Sequence, residues 1–80
     1  MVGPEDVRQY IEQGLACDHV EVAGDGHHFE AVIVSPAFRG KSRVQQHQLV
    51  YRALGERMRE EIHALSMQTF TPEDWVAAGR

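Results

Sequence analysis

A single cysteine, Cys17, stands in the 80 residues, which excludes an internal disulfide framework and any metal site built only from the thiolates of one chain. Long apolar runs are missing too. The longest covers residues 31–34, far short of the roughly 20 residues that cross a bilayer, so no membrane segment is expected. The start Met1-Val2-Gly3-Pro4-Glu5-Asp6 turns acidic where a secretory leader is positive, and a cytoplasmic location is expected. No Gly-rich phosphate loop and no paired-carboxylate site are evident, and Cys17 has no motif partner that would make it a nucleophile, so the expectation is a non-enzymatic protein. Repeats, low-complexity segments and linkers are absent, and residues 1–80 read as one domain. At 9.0 kDa its core is only just sufficient for its size. A composition of 42% hydrophobic and 25% charged residues is that of a chain that folds.

Acid is missing from one whole stretch. Residues 1–30 hold seven acids and one base, whereas residues 31–55 hold no acid and four bases, Arg39, Lys41, Arg43 and Arg52. The net charge of −4 argues against indiscriminate phosphate binding, while the basic stretch keeps a directed anionic contact open. Arg39, Lys41 and Arg43 sit near a helix start, where cations oppose the helix dipole, and an anion docked there would relieve the conflict.

Local patterns predict the order α-β-β-α-β-α. Pro4 after Gly3, with Glu5 and Asp6 in the first turn, opens a helix over residues 4–16, whose inner face is Val7, Tyr10, Ile11 and Leu15. Residues 18–23 alternate as a strand, Gly24-Asp25-Gly26 is a turn, and residues 29–35 form a second strand. That second strand is apolar on both faces, so it is expected to be central and covered. Ser42 with Gln45 three residues on forms a capping box for a long helix, with Val44, His47, Tyr51, Leu54, Met58 and Ile62 as its inner stripe. Residues 65–70 are a third strand, and Thr71 caps a short last helix, with Trp75 read as core and C-terminal packing. The second and third strands, joined through the long helix, are expected to run parallel in a three-stranded mixed sheet packed against helices, an α+β fold.

Five histidines are many for this length. His19 is read as solvent-facing and His47 as partly buried structure. His27 and His28 end the hairpin loop just before the second strand, and His63 lies just before the third. Parallel neighbours start at the same sheet edge about 4.8 Å apart, so these rings can converge although remote in sequence. Two imidazoles make half of a four-coordinate metal site. Histidine also replaces thiolate on one iron of some [2Fe-2S] centres, so a site completed by a partner fits the donor set. Spacing alone does not separate such ligands from exposed loop histidines, and plain zinc or copper binding by His27, His28 and His63 stays open.

Seven segments in register then resemble the BolA family: His19-Val20-Glu21-Val22, Gly24-Asp25-Gly26-His27-His28-Phe29, Val32-Ile33-Val34-Ser35, Phe38-Arg39-Gly40-Lys41-Ser42-Arg43, Val50-Tyr51-Arg52-Ala53-Leu54, Ile62-His63-Ala64-Leu65-Ser66 and Thr71-Pro72-Glu73-Asp74-Trp75. The resemblance covers nearly the whole chain, and the hairpin loop is similar to the bacterial branch that carries histidine there instead of cysteine. It implies a class II KH-like fold and a heterodimer with a monothiol glutaredoxin. The two proteins would share a [2Fe-2S] cluster, the glutaredoxin bringing its thiolate and glutathione. The resemblance assigns the other ligands to His63 and His28, with His27 as a competitor, and implies no tightly bound cofactor and a monomer or weak homodimer for the chain alone. Members of the same family are described as DNA-binding transcriptional regulators, which points to Arg39, Lys41 and Arg43 as the alternative contact. The family's usual Arg-His-Arg in the following helix reads Gln46-His47-Gln48 here, which removes two cations from that surface.

Overall fold

The hairpin and the β-α-β unit build one three-stranded sheet in the order β1-β2-β3, with β1 His19–Gly24, β2 His28–Val34 and β3 Ala64–Phe70. β1 and β2 are antiparallel and β2 and β3 parallel, so the apolar β2 is central as its composition requires. The computed structural model describes residues 2–79. Helices α1 (Pro4–Gly14) and α2 (Arg43–Leu54) pack on one face of the sheet. Their Val7, Ile11, Val50 and Leu54 meet Phe29, Ala31 and Ile33 of β2 in the buried core cluster. The order of elements and the mixed sheet agree with expectation.

Local signals explain where elements start. Asp6 accepts a hydrogen bond from the Gly3 N–H at 2.9 Å at the head of α1. The capping box at α2 is formed, with the Gln45 N–H donating to the Ser42 hydroxyl at 3.2 Å and the Ser42 N–H to the Gln45 side chain at 2.9 Å. α4 (Pro72–Ala77) starts at Thr71, whose hydroxyl accepts from the Asp74 N–H at 3.0 Å. One element escaped the sequence reading, a 3-10 turn at Pro36–Phe38 that drives Phe38 into full burial.

The long helix differs most from expectation. It breaks at Gly55, whose φ of +57° ends α2 before the short α3 (Glu56–Glu60). Its inner face is also rotated. Val44 is 66% exposed and Tyr51 42%, while Val50 is fully buried. Gln46 takes the inward position in place of Val44. Its side-chain amide donates to the carbonyls of Phe38 at 3.3 Å and Lys41 at 3.1 Å, and its oxygen accepts from the Thr69 hydroxyl at 2.6 Å. Inside, the Gln46 amide satisfies polar groups of a turn and a strand that a valine could not.

The far side of the sheet is half covered, not enclosed. His19, Val34 and Phe70 form one cross-strand row, and Trp75 of α4 lies over its two ends, with ring centroids 5.1 Å from His19 and 5.3 Å from Phe70. That roof accounts for the burial of Val34, which stands outside the main core cluster. Trp75 is therefore C-terminal packing rather than core. His19 lies against it and is hydrogen-bonded to Glu21, with its side chain still 41% exposed, so it faces solvent on one side only. Further along, Val32 is only partly covered, beside an open hollow of about 480 Å³ lined by Glu21, Glu30, Ser66 and Gln68 among others. Among the described residues no helix is long and apolar enough to cross a membrane.

Candidate functional site

β2 and β3 both start at the same end of the sheet, and their starts carry the histidines. The register pairs His28 with Ala64, the residue after His63. The hairpin loop is fastened to that pairing from both sides. The Ala64 N–H donates to the His27 carbonyl at 3.1 Å, and the Asp25 carboxylate accepts from the N–H groups of both His27 and His28 at 2.9 Å. Those two bonds, the one from His28 contributing most, hold the Asp25 carboxyl below the usual carboxylate range. Asp25 is therefore more than the turn former expected from Gly24-Asp25-Gly26. An Asp followed by Gly is the signal for a side chain that caps its own loop two and three residues on.

Gly24 closes the same corner. A Cβ there would lie 2.5 Å from the His28 carbonyl oxygen and 2.6 Å from the Phe29 ring, so only glycine lets the two strands approach at this point.

The outcome is that His27 and His63 meet, with ring centroids 6.2 Å apart and planes at 90°. Both are exposed. His28 is exposed too, but it is one residue along from the buried Phe29, so strand alternation turns its side chain toward the opposite sheet face. Two imidazoles each about 2.0–2.1 Å from a common ion through a ring nitrogen have centroids about 5–6 Å apart, so the His27–His63 pair fits a shared metal with a small adjustment. Among the described residues no group of three or more His, Cys, Asp or Glu side chains is arranged to hold a metal. Cys17 is half-buried, and burial, with the charges of Glu12 and Asp18, pushes its thiol up to about 11, which favours the protonated form.

The basic residues lie at the other end of the sheet. The seven residues of β2 separate the two ends, a distance of about 20 Å at the usual rise of a strand. Arg39 is engaged there by Glu73 of α4 in a two-pronged contact of 2.9 and 2.6 Å, and each holds the other charged: Arg39 is raised and Glu73 lowered, in both cases first by that hydrogen bond. Of the three cations expected to face an anion, Lys41 and Arg43 alone have no carboxylate partner among the described residues.

His47 is half-buried on α2, and its Nε2 is buried with no hydrogen-bond partner. Burial, and then the charge of Arg43, lowers its pKa below the ordinary histidine value. The folded protein resists a proton that the unfolded chain accepts, so this contribution is complete above about pH 6.5 and is lost as pH falls toward the folded value. The unfolding free energy from urea titration is expected to fall between pH 7 and 5, by well under the one-proton limit of about 1.4 kcal/mol per pH unit because solvent screens a ring that is only half-buried. His47→Leu should flatten that slope. The lowered carboxylates Glu5, Asp25 and Glu73 act in the same direction but only near and below the usual carboxylate range, outside this window. An unchanged slope in the variant would show that His47 is not the titrating group.

Comparison with known proteins adds a family context. A family model described as BolA-like protein matches residues 11–74. The "DNA-binding transcriptional regulator BolA" of Haemophilus influenzae is 44% identical over 59 residues, 74% of this chain and 57% of that protein. The "Acid stress protein IbaG" of Escherichia coli is 37% identical over 71 residues, 88% of this chain and 84% of that one. Among solved structures, a bolA protein homologue from Coxiella burnetii superposes with a TM-score of 0.84 at 47% identity, covering 95% of this chain and 99% of the other. The chain thus spans little more than half of the Haemophilus relative and nearly all of the Coxiella structure.

Proposed function

The chain belongs to the BolA-like family, and on that premise we propose that it is a non-enzymatic adaptor in iron-sulfur cluster assembly or trafficking that shares a [2Fe-2S] cluster with a monothiol glutaredoxin. The observation that carries this reading is the exposed imidazole pair at one strand edge, His27 against His63 with centroids 6.2 Å apart. Such a pair offers two nitrogen donors and needs the rest from elsewhere. A glutaredoxin thiolate and glutathione are the complementary soft donors, and iron of a [2Fe-2S] centre accepts mixed imidazole and thiolate ligation. The resemblance pointed to His28 as the loop ligand; ring proximity favours His27. Asp25 serves as a positioning residue through its two backbone bonds. The chain's part is to present both rings in one direction on a rigid sheet edge. When bound, the cluster supplies the labile, transferable centre.

The test is to mix the chain with a cluster-loaded monothiol glutaredoxin and glutathione. Visible circular dichroism should change on mixing, and the reduced cluster should carry a nitrogen signature in electron paramagnetic resonance. Spectra that equal the sum of the separate components would overturn the proposal.

A second reading, direct contact with DNA, is favoured by the name of the Haemophilus relative and by the two unengaged cations Lys41 and Arg43. Log affinity should then fall with log salt by about 0.9 per phosphate neutralised. Lys41→Ala and Arg43→Ala should each reduce that slope by about one, and Arg39→Ala by less because Glu73 already engages it. Slopes indifferent to Lys41 and Arg43 would remove this surface from consideration.

A further inference from the structure

Between α2 and the outer edge of β3 runs a groove of about 400 Å³ lined by Arg43, His47, Met67, Gln68, Thr69 and Phe70. Four consecutive strand residues in one lining cannot all stand on one face of a sheet, because alternate side chains point to opposite sides. The groove therefore follows the edge of the strand.

That edge is unpaired. Ala64 donates its N–H to His27, and Phe70 accepts from the Ser35 N–H, so the backbone groups of Ala64 and Phe70 point inward to β2. In the ladder the residues between alternate, and Met67 and Thr69 turn their N–H and C=O groups outward. These groups have no backbone partner among the described residues. Two polar side chains on the opposite wall are equally unmatched. His47 has a buried Nε2 without a partner, and Arg43 has no carboxylate partner among the described residues. The surrounding residues 31–55 contain no acid to supply one.

We propose that this groove docks an extended acidic peptide segment of a partner protein, added to the sheet as a fourth strand beside β3. The main chain of the peptide would pair with the outward groups of Met67 and Thr69, which recur at the two-residue repeat of an extended polypeptide. A carboxylate of the peptide would meet Arg43 and the His47 ring. A polynucleotide backbone has no row of N–H and C=O groups to match a strand edge, and this decides for a peptide. A second copy of the chain would bring Arg43, itself unmatched, and no acid from residues 31–55. The groove lies along the far half of β3 from His63, so the inference stands apart from the cluster-sharing reading.

The test uses the full chain labelled with ¹⁵N and three probes at pH 7: a blocked octapeptide of alternating valine and glutamate, its valine-lysine counterpart, and an octamer of deoxythymidine. The glutamate peptide should slow amide exchange at Met67 and Thr69 at least tenfold and shift the Arg43 and His47 side-chain signals, with the lysine peptide at least tenfold weaker. Arg43→Glu should reverse that preference. An acid at the first position of α2 suits the helix dipole, so this variant is expected to fold. No protection at Met67 and Thr69, equal binding of both peptides, or capture of the octanucleotide at these amides in place of the peptide would each overturn the proposal. So would self-association of the unliganded chain that protects the same amides.

Discussion

His63→Ala is expected to abolish the spectral change that the wild-type chain produces on mixing with cluster-loaded monothiol glutaredoxin. The ring is exposed and, among the described residues, stacks edge-on against His27 alone, so its removal should alter folding stability by no more than about 0.5 kcal/mol. The chemistry loses one of two nitrogen donors, and the nitrogen signature in the reduced cluster should weaken or vanish. His27→Ala should act in the same direction. His28→Ala should leave the spectra close to wild type, since strand alternation turns that ring toward the other face of the sheet. A thermal melt of each variant separates lost ligation from lost fold. A folded His63→Ala chain that still gives the wild-type spectrum would end the ligand-sharing proposal. Retention in His27→Ala with loss in His28→Ala would return the loop ligand to the residue that the resemblance indicated.

Phe29→Ala is expected to have the largest effect on stability. Phe29 is fully buried at the head of the central strand, opposite Gly24 on one neighbour and Leu65 on the other. Its ring occupies the space that a side chain at Gly24 would need. Truncating a buried Phe typically costs about 3–5 kcal/mol, transfer and cavity terms together. A domain of this length has a total stability of about 4–12 kcal/mol, so the variant should be at the margin of folding. The same residue anchors the rim, being next in sequence to His28 and two beyond His27. A urea midpoint lowered by less than the equivalent of about 1 kcal/mol would mean that the core closes over the gap without loss, contrary to the packing described.

Several features were legible because they are local. The Ser42–Gln45 capping box, the Thr71 cap, the Gly24-Asp25-Gly26 turn and the two-faced apolar β2 each depend on residues within a few positions of one another, and each stands in the structure as expected. The rotation of α2 was not legible. Hydrophobicity favours Val44 inside, but Gln46 wins that side because carbonyls of Phe38 and Lys41 and the hydroxyl of Thr69 arrive there from other elements. The engagement of Arg39 by Glu73 was equally hidden, since 34 residues separate them. It turned an expected anion contact into a clamp between the turn and α4.

The amino-acid order by itself determined the succession of elements, the central place of β2 and the arrival of histidines at two strand entrances, because period, capping and turn chemistry act over short range. Which loop ring meets His63 was decided only in three dimensions. A shift of one residue in where a strand begins turns a side chain to the other face, and that phase is set by the long-range pairing of His28 with Ala64 and by the burial of Phe29.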